Sequence, residues 1–451
     1  MRLNQEAVAA ETVRHLQALL RLETVNPPGN ELIAAEYLAG VLQAEGLEPQ
    51  VLKSAPGRGN VVARLKGSGQ APPLLLYGHT DVVPAEPEHW THPPFAGEVH
   101  DGFVWGRGAV DMKGSVAQQL MVVLLLKRLA APLKRDVIFA ATADEEIGGA
   151  DGYGMAWLVK HHPDLLRAEF GLTELGGYNL DLAGVTVYPI QTAEKGTVWL
   201  KARARGAPAH ASQPRRDNAV VTLARAVDRL AARGLPYHLC DAAAGMLTAL
   251  AEAAGGEAGD QLRALTQPER AEALLAGPLA DHPLHPMLAA ITHNTATPTG
   301  LSAGVQTNVI PATAEAVLDG RNLPGTDTAA FLDELRAVMG DHLEYDVTLE
   351  SPPLQTSHRT PLYELMARTL RRHDPAARVV PYLMTGATDA KYLAPLGVPS
   401  YGFAPMRLPA GFDFMNLFHA HDERAPVDGL GWGVRVLFDV VAEYCAGSSD
   451  F

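Results

Sequence analysis

Apolar runs in this chain repeatedly end in side chains that can bind metal or move protons. LLLYGHTDVVP carries His79 and Asp81, WGRGAVDMKG sets Asp111 between a glycine-rich turn and a helical pattern, and EFGLTEL carries Glu174. ATADEEIGGADG places Asp144, Glu145 and Glu146 in succession, and NLFHAHDERAP adds His419 and His421 near the C-terminus. Singly these are weak signals, since an acidic triplet is most often a solvated turn. Together they put imidazole or carboxylate at four strand ends, all expected on one edge of one sheet. Imidazole and carboxylate without thiolate suit catalytic zinc, cobalt or manganese better than a closed structural site. Two histidines and three carboxylates oversupply one ion, whereas two neighbouring ions use all five, with one carboxylate bridging. Cations would also offset the repulsion within the triplet, leaving one acid to bind metal and its neighbour to handle a proton.

Such residues need a scaffold. Helical patterns (ELIAAEYLAGVLQAEG, SVAQQLMVVLLLKRLAA, GMAWLVKHH) alternate with short apolar runs (NVVARLKG, PPLLLYGHTDVV, DVIFAATADEE, EFGLTEL). Strands apolar on both faces and separated by helices predict an α/β domain whose mainly parallel sheet is covered by helices on both sides. In such sheets ligands gather beyond the carboxyl ends of the strands. Near residue 195 the pattern changes: KGTVWLKARARG alternates polar and apolar residues, as a half-solvated strand does, and DNAVVTLARAVDRLAAR reads as a helix. An Ala/Gly-rich, helix-like stretch over 240–282 follows, then LAAITHN, AEAVLDGR, the helix TAAFLDELRAVMG and the strand LEYDVTLE. The organisation predicted is a catalytic domain over 1–194 and 352–451, interrupted by a smaller α+β domain over 195–351.

Composition limits the partners. The 451 residues carry a formal charge of −14, which disfavours nucleic acid and anionic membranes. With 47% hydrophobic and 20% charged residues the chain has the make-up of a globular protein. Cys240 and Cys445 are the only cysteines, so no disulfide framework or thiolate cage is possible and a reducing compartment is expected. The first residues lack the basic start and uninterrupted apolar core of a secretory signal, and no apolar run suffices to span a bilayer. A cytoplasmic location is expected.

Read in order, GHTDVVP, WTHPPFAGEVHDGFVWGRGAVDMKG, ADEEIGG, GAPAHASQP, NVIPATAEAVLDGRNLPG, TGATDAKYL and HAHDER cover nearly the whole chain. In this they resemble the dinuclear zinc aminoacylase/carboxypeptidase family, which includes acetylornithine deacetylase, succinyl-diaminopimelate desuccinylase and glutamate carboxypeptidases. The resemblance implies two divalent ions per chain, zinc first, with cobalt or manganese as alternatives. His79 and Glu174 would hold one ion and Glu146 and His419 the other. Asp111 would bridge them and precede a cis peptide to Met112, Asp81 would fix the His79 ring, and Glu145 would be the general base. His419 rather than His421 fits because the family's ligand histidine lies four residues before a glutamate, here Glu423. One departure is Leu175, where a glycine often follows the ligand acid.

The same resemblance assigns the inserted domain a second set. His210 would reach the partner subunit's active site and stabilise the oxyanion, which implies a homodimer formed through that domain. Asn308 and Arg321 would hold a substrate carboxylate, with Gly386 and Thr388 near the substrate, while Lys391 stands where arginine is common. Arg321 could instead be a salt-bridged strand residue. The reaction expected is hydrolysis of an amide next to a free carboxylate, in a peptide or an N-acyl amino acid. A two-metal aminopeptidase is the rival enzyme, although it would call for an acidic pocket rather than Arg321. A non-catalytic relative would have lost one of these positions, and none is lost.

Overall fold

The computed structural model describes residues 4–147, 152–182 and 185–447. The glycine pair after the acidic triplet, Gly148 and Gly149, and the first three residues lie outside them. The chain divides into two compact units, one of Met1–Thr192, Thr356–Pro381 and Thr388–Phe451, the other of Ala193–Gln355 and Tyr382–Ala387.

The first unit is built on a mixed sheet. Its strands run in the spatial order Gln50–Ala55, Arg58–Leu65, Val137–Thr142, Leu74–His79, Phe170–Thr173, Ser400–Gly402 and Val185–Glu194. The central pairings, Leu74–His79 with both Val137–Thr142 and Phe170–Thr173, and Ser400–Gly402 with Phe170–Thr173, are parallel. The flanking pairings are antiparallel. Alternation along the central strand shows why both faces are apolar. Leu74 and Leu76 enter one core with the helices Gln5–Leu20, Leu32–Ala44, Lys113–Arg128 and Val427–Ala446. Leu75 and Tyr77 point the other way, into a smaller core with Met155, Leu158 and Leu166. Successive strand residues face opposite sides, so a strand covered on both needs an unbroken apolar run.

Lys113–Arg128 is buried from Lys113 to Leu126, as expected of a helix that is apolar all round. Its one charge in that stretch is anchored: the Lys113 ammonium donates to the carbonyls of Leu19 and Leu22 at 3.1 and 2.8 Å. At the other helical pole Asn4 caps Gln5–Leu20 by accepting the Ala7 N–H at 3.2 Å.

The second unit holds a four-stranded antiparallel sheet in the order Thr295–Ala303, Thr313–Asn322, Gly196–Arg205 and Glu344–Ser351. Val198, Leu200, Ala202 and Ala204 pack with the helices Ala219–Arg233 and Thr328–Met339. The Ala/Gly-rich stretch forms three helices, Asp241–Ala254, Gly256–Ala264 and Pro268–Ala276, and most of LAAITHN belongs to a fourth, His285–Thr292. The strand Thr295–Ala303 after it was not read from the sequence, because TATPTGLSA carries a proline and a glycine and is mostly exposed.

Candidate active site

All the residues predicted to bind metal leave the first unit from strand ends or adjoining turns. His79 closes Leu74–His79, the acidic triplet follows Val137–Thr142, and Glu174 follows Phe170–Thr173. Because these three strands are parallel neighbours, their carboxyl ends open on one edge. Asp111 arrives from the turn after Phe103–Trp105, and the Asp111–Met112 peptide is cis.

Two clusters share one carboxylate. His79, Asp111 and Glu174 bring ligand atoms within 4.8 Å of one another, and so do Asp111, Glu146 and His419. Asp111 turns Oδ1 toward His79 Nε2 at 3.0 Å and Oδ2 toward His419 Nε2 at 3.2 Å. Glu174 Oε2 lies 3.8 Å from His79 Nε2, and Glu146 Oε2 lies 3.0 Å from His419 Nε2. His421 is directed elsewhere, onto Glu86 at 3.1 Å and beside the ring of His89.

A buried polar frame behind the clusters sets their geometry. Asp81, fully buried, accepts the N–H groups of both Glu145 and Glu146 at 3.1 Å and the Asn26 amide at 2.9 Å. The His79 ring meets Asp81 through its main-chain carbonyl at 3.0 Å, and the carboxylate sits 3.5 Å from the same nitrogen. Asp81 therefore holds the turn of the triplet as much as it holds the ring. Asp144 has a third job: it accepts from Arg58, Asn26 and the Tyr153 N–H. Arg58 in turn forms a two-pronged pair with Glu31 at 2.7 Å. The three successive acids thus divide into one structural carboxylate, Asp144, one that belongs to neither cluster, Glu145, and one in a ligand cluster, Glu146.

Glu423 performs the same service on the other side. Its buried carboxylate accepts the N–H groups of Gly108, Val110 and Asp111 at 2.9, 2.7 and 3.0 Å and pairs with Arg107 at 2.8 Å. This shapes the turn that presents Asp111. Sequence reading did not find Arg107, Asn26, Arg58 or Glu31. The only available hint was that Asp144 belonged to a triplet in which two acids already had work.

Electrostatics follow from enclosure. Burial raises the Glu145 carboxyl well above the usual carboxylate range, against the field of His79 and with that of Glu174 and Asp389. Burial likewise pushes Glu174 up to about 7 and Asp389 to about 6. Asp111 goes the other way: burial opposes ionisation, but hydrogen bonds with His419 and His79 hold it well below its ordinary value. Asp389 itself is buried and accepts the Thr142 hydroxyl at 3.3 Å.

The second set falls into different places. His210 is exposed on the short strand Ala209–His210, paired with Val309, and its Nδ1 lies 2.7 Å from the Ser212 hydroxyl. Asn308 precedes that partner strand, is exposed, and accepts the Ala211 N–H through its carbonyl at 2.9 Å. Arg321 is ion-paired with Asp319 at 2.7 Å and donates to Thr197 at 3.2 Å. Gly386 belongs to the second unit, whereas Thr388, buried, and Lys391 belong to the first. The Leu175 departure has a backbone correlate: its φ of 65° lies in the left-handed region, which glycine enters at less cost.

A parallel-centred sheet whose strand ends gather histidines and carboxylates in two joined clusters marks a metal-dependent hydrolase. Residues 75–443 match the model of peptidase family M20/M25/M40, and the chain belongs to that family. It is 30% identical to human aminoacylase-1 over 418 residues, 90% of this chain and 88% of the relative. Among solved structures it is similar to an M20 family metallo-carboxypeptidase, Sso-CP2 of Sulfolobus solfataricus, with a TM-score of 0.68, 19% identity and coverage of 96% and 99%. It is also similar to the YXEP protein of Bacillus subtilis, described as a dinuclear metal binding peptidase, with a TM-score of 0.59, 15% identity and coverage of 98% and 99%. The chain is accordingly a metallohydrolase of peptide or N-acyl amide bonds. Among the described residues no helix is long and apolar enough to cross a membrane.

Proposed function

We propose that the protein hydrolyses the amide bond of small N-acyl amino acids or dipeptides that carry a free carboxylate next to that bond, with Glu145 as general base. The observation that carries this reading is the Asp111 carboxylate, which faces one histidine with each oxygen, beside a desolvated Glu145 that belongs to neither cluster. The residues fit two divalent ions, zinc first and cobalt or manganese as alternatives. Hard oxygen and imidazole nitrogen suit these metals, and Glu146 Oε1 is buried without a hydrogen-bond partner, an arrangement a cation would relieve. His79 and Glu174 would hold one ion, Glu146 and His419 the other, and Asp111 both. Ions bound there supply Lewis acidity and make water a competent nucleophile near neutral pH.

The chain's own groups do the rest. Glu145 takes the proton of the attacking water and passes it to the leaving nitrogen, so that the amine departs neutral. Asp81 fixes the main chain of Glu145 and with it the carboxylate's aim. His210 of a second copy would donate to the developing oxyanion, and Asn308 and Arg321 would bind the substrate carboxylate. A guanidinium suits that geometry, although the substrate must compete with Asp319 for it.

The inserted unit would then serve as lid and dimer contact. Supporting this, Trp199 and its register neighbour Leu349 are 44% and 37% exposed on its sheet, and Leu301 and Val305 are exposed in and just after the strand Thr295–Ala303. The two cysteines are free, consistent with a cytoplasmic setting.

The test is a panel of acetyl amino acids, succinylated diamino acids and dipeptides given to zinc- or cobalt-loaded protein and resolved by mass spectrometry. Cleavage that needs a free carboxylate and disappears with chelator is expected. Cleavage of amides with a free amino group and no carboxylate would favour an aminopeptidase instead.

A further inference from the structure

Outside the active site a second group of metal-ligating side chains comes together on the hairpin that leads to Asp111. The strands Val99–His100 and Phe103–Trp105 pair antiparallel through Asp101 and Gly102. Glu98 and His100 are two residues apart along this extended stretch and so face the same side, with His100 Nε2 2.8 Å from Glu98 Oε2. The loop before the hairpin lays His92 flat on His100, ring centroids 3.7 Å apart and planes within 3°. Ligand atoms of all three lie within 4.8 Å of one another.

From this we propose that His92, Glu98 and His100 form an additional site for a divalent ion of the zinc type, separate from the Asp111 clusters. A hydrogen bond alone would account for Glu98 and His100. It does not account for a second imidazole that brings a ring nitrogen within 4.8 Å of the ligand atoms of both. Two imidazoles and one carboxylate are a set that zinc, nickel or copper takes and that magnesium or calcium does not favour. An ion lies in the plane of each imidazole that binds it, about 2.0–2.1 Å from the nitrogen, so the stacked His92 and His100 rings must swing out of their parallel arrangement to share one, a rotation open to these partly exposed side chains. Water would complete the coordination.

The platform is stiff where it needs to be. Trp105 meets the His92 ring edge-on at 4.7 Å, and the Arg424 guanidinium covers the Trp105 ring at 4.5 Å. Thr91, next to His92, donates its N–H and hydroxyl to the Asp422 carboxylate, each at 2.7 Å. Asp422 adjoins Glu423 and lies three residues from His419, so these bonds tie the loop bearing His92 to the C-terminal segment.

The experiment is equilibrium dialysis of the metal-loaded protein against micromolar zinc, read by mass spectrometry of bound metal, with the starting content measured first. Wild type should take up one further equivalent per chain, accompanied by a rise in Tm. Glu98→Gln and, separately, His92→Ala should abolish that increment and leave the starting content and the turnover unchanged. An increment absent from wild type, or retained in both variants, would overturn the assignment. Because the increment is counted from the measured starting content, it stands or falls independently of the two-ion reading of the Asp111 site.

Discussion

The buried carboxylate of Asp81 receives the main-chain N–H of Glu145 at 3.1 Å, with His79 Nδ1 3.5 Å from the same oxygen and 3.0 Å from the Asp81 main-chain carbonyl. One residue thereby fixes both a predicted metal ligand and the proposed base, without belonging to either ligand cluster. Asp81→Asn would turn an amide donor toward N–H groups that need an acceptor. We expect metal affinity to fall by about 10–100-fold, the range for partners that orient metal ligands. Competition with a chromogenic chelator measures it, and unchanged affinity would remove Asp81 from this role.

Glu145→Gln keeps the volume and the main-chain contacts but removes the base. Metal content should stay at the wild-type level while kcat drops by about 10²–10⁴-fold, the usual worth of general acid–base catalysis. If kcat stayed within a few-fold of wild type, another group would have to accept the proton.

The raised affinity of Glu145 for protons also sets a pH limb. The base must be ionised to act, so kcat/KM should decline as pH falls through the Glu145 carboxyl, whose midpoint burial raises and bound cations lower. A pH–rate profile on one substrate checks this, and in Glu145→Gln the residual activity should lose that limb.

Metal removal should matter more at higher pH. In the folded chain Glu174 sits at about 7 and Asp389 at about 6, against about 4 for such groups when unfolded. The folded metal-free protein therefore binds more protons across that window, and its stability is lost as pH rises through it. Chelator-treated protein should melt lower at pH 8 than at pH 5, whereas in loaded protein bound cations favour the ionised carboxylates. Calorimetry of both forms gives the gap, which should widen with pH; a constant gap would contradict the assignment.

Arg58 bridges Glu31 and Asp144 with side chains that are almost entirely buried. Arg58→Met leaves two carboxylates without their cation, and loss of one member of a buried pair costs about 3–5 kcal/mol. Urea unfolding should register a loss of that order. A change within experimental error would mean that the frame contributes little.

The parts legible in the sequence were those written locally. Unbroken apolar runs such as LLLYGH marked strands covered on two faces, and the residues ending them lay on one sheet edge because parallel neighbours share a direction. The His419 to Glu423 spacing also had a physical counterpart, since Glu423 shapes the Asp111 turn. What stayed hidden is non-local. Nothing about Arg58 or Asn26 as single residues shows that they meet Asp144, 86 and 118 positions away. A mostly exposed, Pro- and Gly-containing strand like Thr295–Ala303 likewise carries no periodic signal, because its place comes from pairing with Thr313–Asn322.

The contacts of Glu423 also bear on when the enzyme can first work. As the ribosome extends the chain, the segments bearing His79, Asp111, Glu146 and Glu174 emerge before the inserted unit, but the carboxylate that clasps the Asp111 turn is added only after it, 312 positions beyond Asp111. Domains tend to take shape as they emerge, N-terminal portions first. A nascent chain short of that point holds most of the clustered side chains without the clasp that aims Asp111, so hydrolytic competence waits for the segment that follows the inserted unit.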